Sequence, residues 1–118
     1  FAASKRFTMD KETHQLSDLQ YAISHEAGLI AYFYNDNCAP CKSLRPKVLE
    51  LLDRDFPKMN ILFINSEKHP EMSAEYGVFS NPTLLVYFDR KEYVRKSKYV
   101  SIPELKSSIQ RLYDMMFS

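Results

Sequence analysis

Glycine is nearly absent from this chain. Of its 118 residues only Gly28 and Gly77 are glycine. That excludes flexible glycine-rich linkers and the glycine-rich loops that cradle phosphates. Long apolar runs are missing too. The longest, LIAYFY at 29–34, is strand-sized and far short of a membrane span. The formal net charge is only +1, which gives no global pull toward nucleic acid or anionic lipid. Cysteine is scarce, with Cys38 and Cys41 the whole complement. One close pair is not the disulfide framework of a small secreted domain, and a bridge closing so short a loop adds little stability. The pair is better suited to chemistry than to stapling.

What is present has the balance of an ordinary globular protein, 45% apolar and 26% charged. The length suits one compact domain over residues 1–118 with a single core. Residues 1–8, FAASKRFT, lie ahead of Met9 and are expected to be an added remnant or the flexible start of a processed chain. No signal-peptide apolar segment is visible in them. The stretch RKEYVRKSK at 90–98 is strongly basic, with Glu92 its single acid. It reads as an exposed strand pair defended by Lys and Arg against edge pairing, or as a landing surface for an acidic partner.

Periodicity divides the chain into alternating elements. Ser17 as cap with Gln20 three residues on, flanked by Leu16 and Tyr21, predicts a helix start. Leu19, Ala22 and Ile23 continue it, and Gly28 suits a left-handed helix stop. LIAYFY is a buried strand, broken by the turn residues Asn35, Asp36 and Asn37. Leu44, Val48, Leu51 and Leu52 mark one face of a long helix, which Pro46 should kink. ILFI at 61–64 is a second buried strand. A short helix from Pro70 to Tyr76 is stopped by Gly77. TLLVYF at 83–88 follows, then a turn at 89–91 into a strand near 92–99. Ser101 and Glu104 form a capping-box pattern before a last helix with a Leu105, Ile109, Leu112, Met116 stripe. KRFTM at 5–9 is a candidate first edge strand. The order implies an α/β fold, a mixed sheet of four to five strands with helices on both faces.

On this map Cys38 falls at the end of a buried strand and Cys41 in the first turn of the next helix. A helix N-terminus offers unsatisfied N–H groups and positive partial charge, and both stabilise a thiolate. Cys38 should therefore have a lowered pKa. Lys42 and Arg45 add positive charge nearby, while Asp36 opposes it. A thiolate attacks disulfides, and a second thiol with two residues between can reach back to resolve the product. Pro40 restrains the loop and suits a helix opening.

A strand, then Cys-x-Pro-Cys-Lys, then a helix with Pro46 five residues past Cys41, resembles the thioredoxin family. Tyr76-Gly77-Val78 followed by Asn81-Pro82-Thr83-Leu84-Leu85 matches the family's Tyr-Gly-Val/Ile segment and cis-proline loop. The resemblance runs from about residue 16 onward. It implies a thioredoxin fold and a thiol–disulfide oxidoreductase acting on protein disulfides, with Cys38 the nucleophile, Cys41 the resolving thiol, and Asn37, Ala39 and Pro40 the active-site loop. It implies a cis Asn81–Pro82 bond packed against the cysteines, the Asn81 backbone pairing with an extended substrate, and Lys98 at the substrate groove. No bound cofactor or metal is needed. An external thiol or reductase supplies electrons. A monomer without nucleic-acid or membrane partners is expected, cytoplasmic, with periplasmic or secreted placement left open.

Several positions depart from the family. Trp-Cys-Gly-Pro-Cys is replaced by Asn37-Cys38-Ala39-Pro40-Cys41, and polar Asn35, Asp36 and Asn37 stand where an aromatic contact surface is usual. The family's buried aspartate, six residues before the first cysteine, is Tyr32 here, and its accompanying lysine falls at Phe63. A buried carboxylate is costly without its cation, so losing both is coherent. Asn81 replaces an apolar residue, and Lys98 a glycine that opens the groove. Two rival readings stay open. A zinc half-site would need further ligands, and His14, His25 and His69 show no paired spacing. A thioredoxin-like binding module with little redox turnover fits the missing acid and Trp, the basic hairpin and the aromatic tail Tyr113–Phe117.

Overall fold

The computed structural model describes residues 8–117. Its elements are β1 (Asp10–Glu12), α1 (Leu16–His25), β2 (Gly28–Tyr34), α2 (Ala39–Asp55), β3 (Asn60–Asn65), α3 (Pro70–Glu75), β4 (Thr83–Phe88), β5 (Lys91–Ser97) and α4 (Ile102–Phe117). The five strands form one sheet in the order β1-β3-β2-β4-β5. β1, β3 and β2 run parallel. β4 is antiparallel to β2, and β5 to β4. This is the thioredoxin fold expected from the sequence.

Strand alternation sorts the core into two layers. Ile30 and Tyr32 of β2 face one side with Ile61, Phe63, Leu84 and Val86, beneath the α2 and α4 residues Leu44, Val48, Leu105 and Ile109. Leu29, Ala31 and Phe33 face the other with Leu62, Ile64 and Leu85, under α1 and α3 through Leu19, Ala22 and Met72. The central strands are covered on both faces, which is why they read as unbroken apolar runs. The edge strand β5 alternates less cleanly and is largely exposed. Arg95 is tied there to Glu92 and to the carbonyls of Tyr76 and Gly77. The basic stretch thus serves as a charged edge.

Several expectations are corrected. α1 begins at Leu16 with Gln15 as its cap and no side-chain capping bond, so Ser17 lies within the first turn as an exposed helical residue. Gly28 does not stop α1. It opens β2, buried on both sides, where the chain passes close to other groups. The early edge strand is Asp10–Glu12, one residue beyond the segment proposed at 5–9, whose residues 5–7 lie outside the described residues. Hydrogen bonds from Ile61 N to Met9 O and from Thr13 N to Phe63 O bracket its pairing with β3. The core stripe of α4 ends on Tyr113, while Met116 is exposed. A turn of α4 past Ile109, the ring of Tyr113 meets Phe56 edge-on and Phe117 at a tilt, and takes the inward position. The last strand stops at Ser97, because Lys98 turns into the left-handed region at φ 65°.

Other signals hold. Gly77 has φ 64° past the end of α3, and Ser101 Oγ accepts from Glu104 N at 3.3 Å. Pro46 lies inside α2, which is one unbroken helix from Ala39 to Asp55. Asp89 and Arg90 link β4 to β5 with φ 50° and 71°. Two successive left-handed residues match the twist of a hairpin. Among the described residues no helix is long and apolar enough to cross a membrane.

Gly28 yields the first expectation. A Cβ there would stand 2.6 Å from Met59 Sδ and 3.2 Å from the Phe117 ring. Met59 is fully buried and has little room to yield. Gly28→Ala should cost about 1–3 kcal/mol, as overpacking does. Urea denaturation checks it, and an unchanged midpoint would mean that Met59 swings aside freely.

Candidate active site

β2 delivers the chain to the site. Past Tyr34 the polar turn closes on itself, with Asn37 N donating to Asn35 Oδ1 at 2.9 Å. Cys38 then takes the N-cap of α2. Its Sγ accepts the backbone N–H of Cys41 at 3.2 Å, one of the donors a helix start leaves free. Pro40 sits in the first helical turn, where its missing N–H costs nothing. The two cysteines form a disulfide with Cα atoms 5.3 Å apart. Cys41 is 2% exposed, whereas Cys38 is half-buried and its neighbours Asn37, Ala39 and Pro40 are exposed. Cys38 is thus the more accessible of the two, and Cys41 is enclosed in the core.

Tyr32 lies directly beneath the pair. Its hydroxyl donates to the Cys41 carbonyl at 2.6 Å, and its ring meets Phe63 at 5.2 Å between centroids. The positions that a resemblance would give to aspartate and lysine are thus an apolar stack with one directed hydroxyl. Charge has moved outward. The Arg45 guanidinium lies 3.6 Å over the Phe63 ring and 5.1 Å over Tyr34. It pairs with Glu12 of β1, which also accepts the Tyr34 hydroxyl at 2.6 Å. Burial pushes the Tyr32 phenol up to about 12, with Arg45 working against it. Tyr34 is likewise raised to about 12, by burial and then by its bond to Glu12. A cavity of about 260 Å3 joins Cys41 to Tyr34, Asp36, Lys42 and Arg45.

The Asn81–Pro82 peptide is cis. Pro82 is buried and shares a groove of about 580 Å3 with Pro40 and Lys98. Lys98 N donates to Pro82 O at 2.8 Å, which fixes the residue after β5 to this loop. Asn81 Oδ1 accepts from Ser66 Oγ at 3.1 Å, so that side chain is engaged inside the molecule. Asn81 lines a second depression together with Phe79.

Two neighbours were not singled out from the sequence. Phe79 is 89% exposed and Tyr99 94% exposed. Each stands beside a loop residue already marked, Phe79 two before Asn81 and Tyr99 just after Lys98, so adjacency was the signal available. The fold also joins His14 and His69, 55 residues apart, with Nδ1 and Nε2 3.2 Å from each other. Spacing along the chain could not show that pair, because the link between β1 and α1 and the start of α3 meet only in three dimensions. His69 Nδ1 also lies 3.8 Å from Glu71. Among the described residues no group of three or more His, Cys, Asp or Glu is placed to hold a metal.

With this geometry the chain can be compared with known proteins. A family model described as Thioredoxin matches residues 10–111. A thioredoxin of Chlamydia trachomatis serovar D is 37% identical over 68% of this chain and 78% of its own length. The thioredoxin-like protein YdfQ of Bacillus subtilis is 26% identical over 85% of this chain and 88% of its own. The X-ray structure of Fasciola hepatica thioredoxin superposes with a TM-score of 0.76 at 26% identity, covering 86% of this chain and 98% of the other.

The buried phenols set an alkaline limit. In the unfolded chain tyrosines ionise near pH 10, whereas folded Tyr32 and Tyr34 hold their protons to about 12. Their contribution is full below about pH 10 and is lost as pH rises through about 12, since the unfolded state then sheds protons first. Urea midpoints should fall across that window. Tyr32→Phe should flatten the fall and, at neutral pH, cost about 1 kcal/mol for the lost hydrogen bond. A slope identical to the wild type would show that Tyr32 ionises as freely folded as unfolded.

Proposed function

The chain belongs to the thioredoxin family, and we propose that it is a thiol–disulfide oxidoreductase for protein substrates, with Cys38 attacking and Cys41 resolving. The observation that carries this reading is the asymmetry of the pair. Cys38 caps α2 at the surface with its sulfur on a backbone N–H, bonded to a Cys41 that is buried behind it. A structural staple has no use for one accessible sulfur at a helix N-terminus; a nucleophile does.

In the reducing direction the Cys38 thiolate attacks one sulfur of a client disulfide. The client S–S bond breaks as a Cys38–client bond forms, and the departing client sulfur takes a proton. The Cys41 thiol then gives up its proton and attacks Cys38 Sγ. The mixed bond breaks, the second client sulfur leaves as a thiol, and the Cys38–Cys41 disulfide remains. Two electrons have passed to the client, and an external thiol or reductase must return them. The reverse sequence oxidises a client dithiol. Asn37, Ala39 and Pro40 shape the entrance, and Asn81 and Pro82 present the backbone against which an extended client lies. Tyr32 holds the first turn of α2 to the sheet, and as a phenol raised to about 12 it stays protonated through the cycle.

A module that only docks would not need the accessible cysteine, and the absence of the family acid is what speaks for it. Turnover separates the two. Cys38→Ser should abolish disulfide reduction, and activity surviving it would sink the mechanism. Cys41→Ser should leave clients covalently held on Cys38, visible by mass under non-reducing conditions; free client alone would rule out Cys41 as the resolving thiol. Equilibration in graded thiol–disulfide buffers gives the direction. A potential near −270 mV, about that of thioredoxin itself, marks a reductase, and one above about −200 mV an oxidant or isomerase.

A further inference from the structure

The groove lined by Pro40 of the active-site loop and by Pro82 carries a charge pattern that the family resemblance does not supply. Its walls are apolar, with Pro40 and Leu44 from α2 facing Val100 and Ile102 at the start of α4. Two cations stand at it, Lys47 on α2 and Lys98 after β5, both exposed. No aspartate or glutamate is among the described residues lining it, and Glu50 and Glu104 on the neighbouring helices stay outside. The first turn of α4 forms one wall, and a helix start adds potential of the same sign.

Lys98 is held where its charge counts. Its backbone adopts φ 65°, a conformation that costs a side-chain-bearing residue energy and that glycine would take freely. Its N–H is fastened to Pro82 O at 2.8 Å. A long cationic side chain therefore stands at the groove on a residue fastened to the cis-proline loop, at a position where a smaller residue would leave the groove open. Tyr99, 94% exposed, stands next to it as a flat apolar surface with a polar tip.

We propose that this groove selects protein clients whose segment beside the disulfide cysteine is extended, apolar at one position and acidic at its flanks. The apolar side chain settles between Leu44 and Val100, and carboxylates meet Lys47 and Lys98. The proposal rests on the redox reading above and names its substrate class. Charges at the rim of an interface act chiefly on encounter rate and on rejecting wrong partners, so the effect should appear as a salt-dependent preference among clients.

The test uses three oxidised probes with the fully reduced protein. One is the disulfide-linked dimer of a short peptide with Glu-Glu-Leu beside cysteine. The second carries Lys-Lys-Leu instead. The third is 2-hydroxyethyl disulfide, which is neutral and too small to fill the groove. Reduction is followed by acid quench, alkylation and mass. The acidic peptide should react about tenfold faster than the basic one at low salt, with the ratio shrinking toward about twofold in 0.5 M salt. Lys47→Glu with Lys98→Glu should invert the ratio. Lys98→Gly, which suits the backbone and removes one charge, should lower it without risk to folding. If wild-type protein reduces hydroxyethyl disulfide but treats both peptides alike, or prefers the basic one, the charge selection is wrong while the redox reading stands. If it reduces none of the three, the redox reading itself has failed. A dimer by sedimentation that the acidic peptide cannot dissociate would assign the groove to a second copy of the chain and overturn the proposal.

Discussion

The position of both cysteines is inherited from one strand. β2 is paired along both edges, to β3 and β4, and buried on both faces. A slip of one residue would turn Tyr32 toward α1 and Phe33 toward α2, exchanging every contact of the strand at once. The chain therefore leaves the sheet at Tyr34 in a fixed place and direction, and α2 starts within a few residues. The Tyr32 hydroxyl ties the first turn of that helix straight back to the strand. Cys38 needs no separate device to hold it. It caps a helix whose start is already determined.

The same strand shows how a polar pair can be removed from a core without leaving a gap. A buried carboxylate requires a buried cation, and deleting either partner alone leaves an uncompensated charge. Here both positions are aromatic, with Tyr32 and Phe63 packed ring to ring. The cation is Arg45, lying over Phe63 from α2, and its carboxylate partner Glu12 comes from the edge strand β1. Both groups keep access to water, so the ion pair carries little desolvation cost and contributes little on its own. One consequence falls on the chemistry. The Tyr32 phenol is raised to about 12 and donates to a carbonyl, so it cannot take the Cys41 proton at neutral pH. The cavity that Cys41 shares with Asp36, Lys42 and Arg45 is the polar opening that lies beside it.

Legibility in the sequence followed the strength of the burial signal. The central strands could be read because burial on both faces makes them continuous apolar runs; TLLVYF matches β4 at both ends. The last helix could be placed because Ser101 and Glu104 do make the capping contact. The start of α1 misled for the same physical reason. Ser17 has the right chemistry for a cap, but Leu16 is half-buried and helical, which draws the helix one position earlier. Gly28 misled because scarcity suggests a turn, and only packing shows that a side chain would strike Met59. Cys38, Cys41 and Pro82 were legible as motifs. The Arg45–Glu12–Tyr34 cluster and the His14–His69 contact were not, since each joins segments that meet only when β1 adds to the sheet beside β3.

These features together set what the redox pair can be. The Cys41 N–H donates to the Cys38 sulfur in the disulfide, and a hydrogen bond of this kind is stronger to a charged sulfur. Every such contact favours the reduced protein and raises the potential of the couple. Lys42 and Arg45 act in the same direction, though Glu12 already engages Arg45. Asp36 acts against them from an exposed turn where water screens it. On the other side of the balance stands Cys41, 2% exposed, with no carboxylate among the buried described residues. The two sulfurs thus sit in different surroundings, one at a helix start near the surface and one enclosed in the core. Under the redox reading proposed above, resolution by Cys41 proceeds without a buried carboxylate beside it, and client contacts at the groove act on the mixed disulfide that precedes it. A charged, aromatic-rimmed groove is useful under that condition.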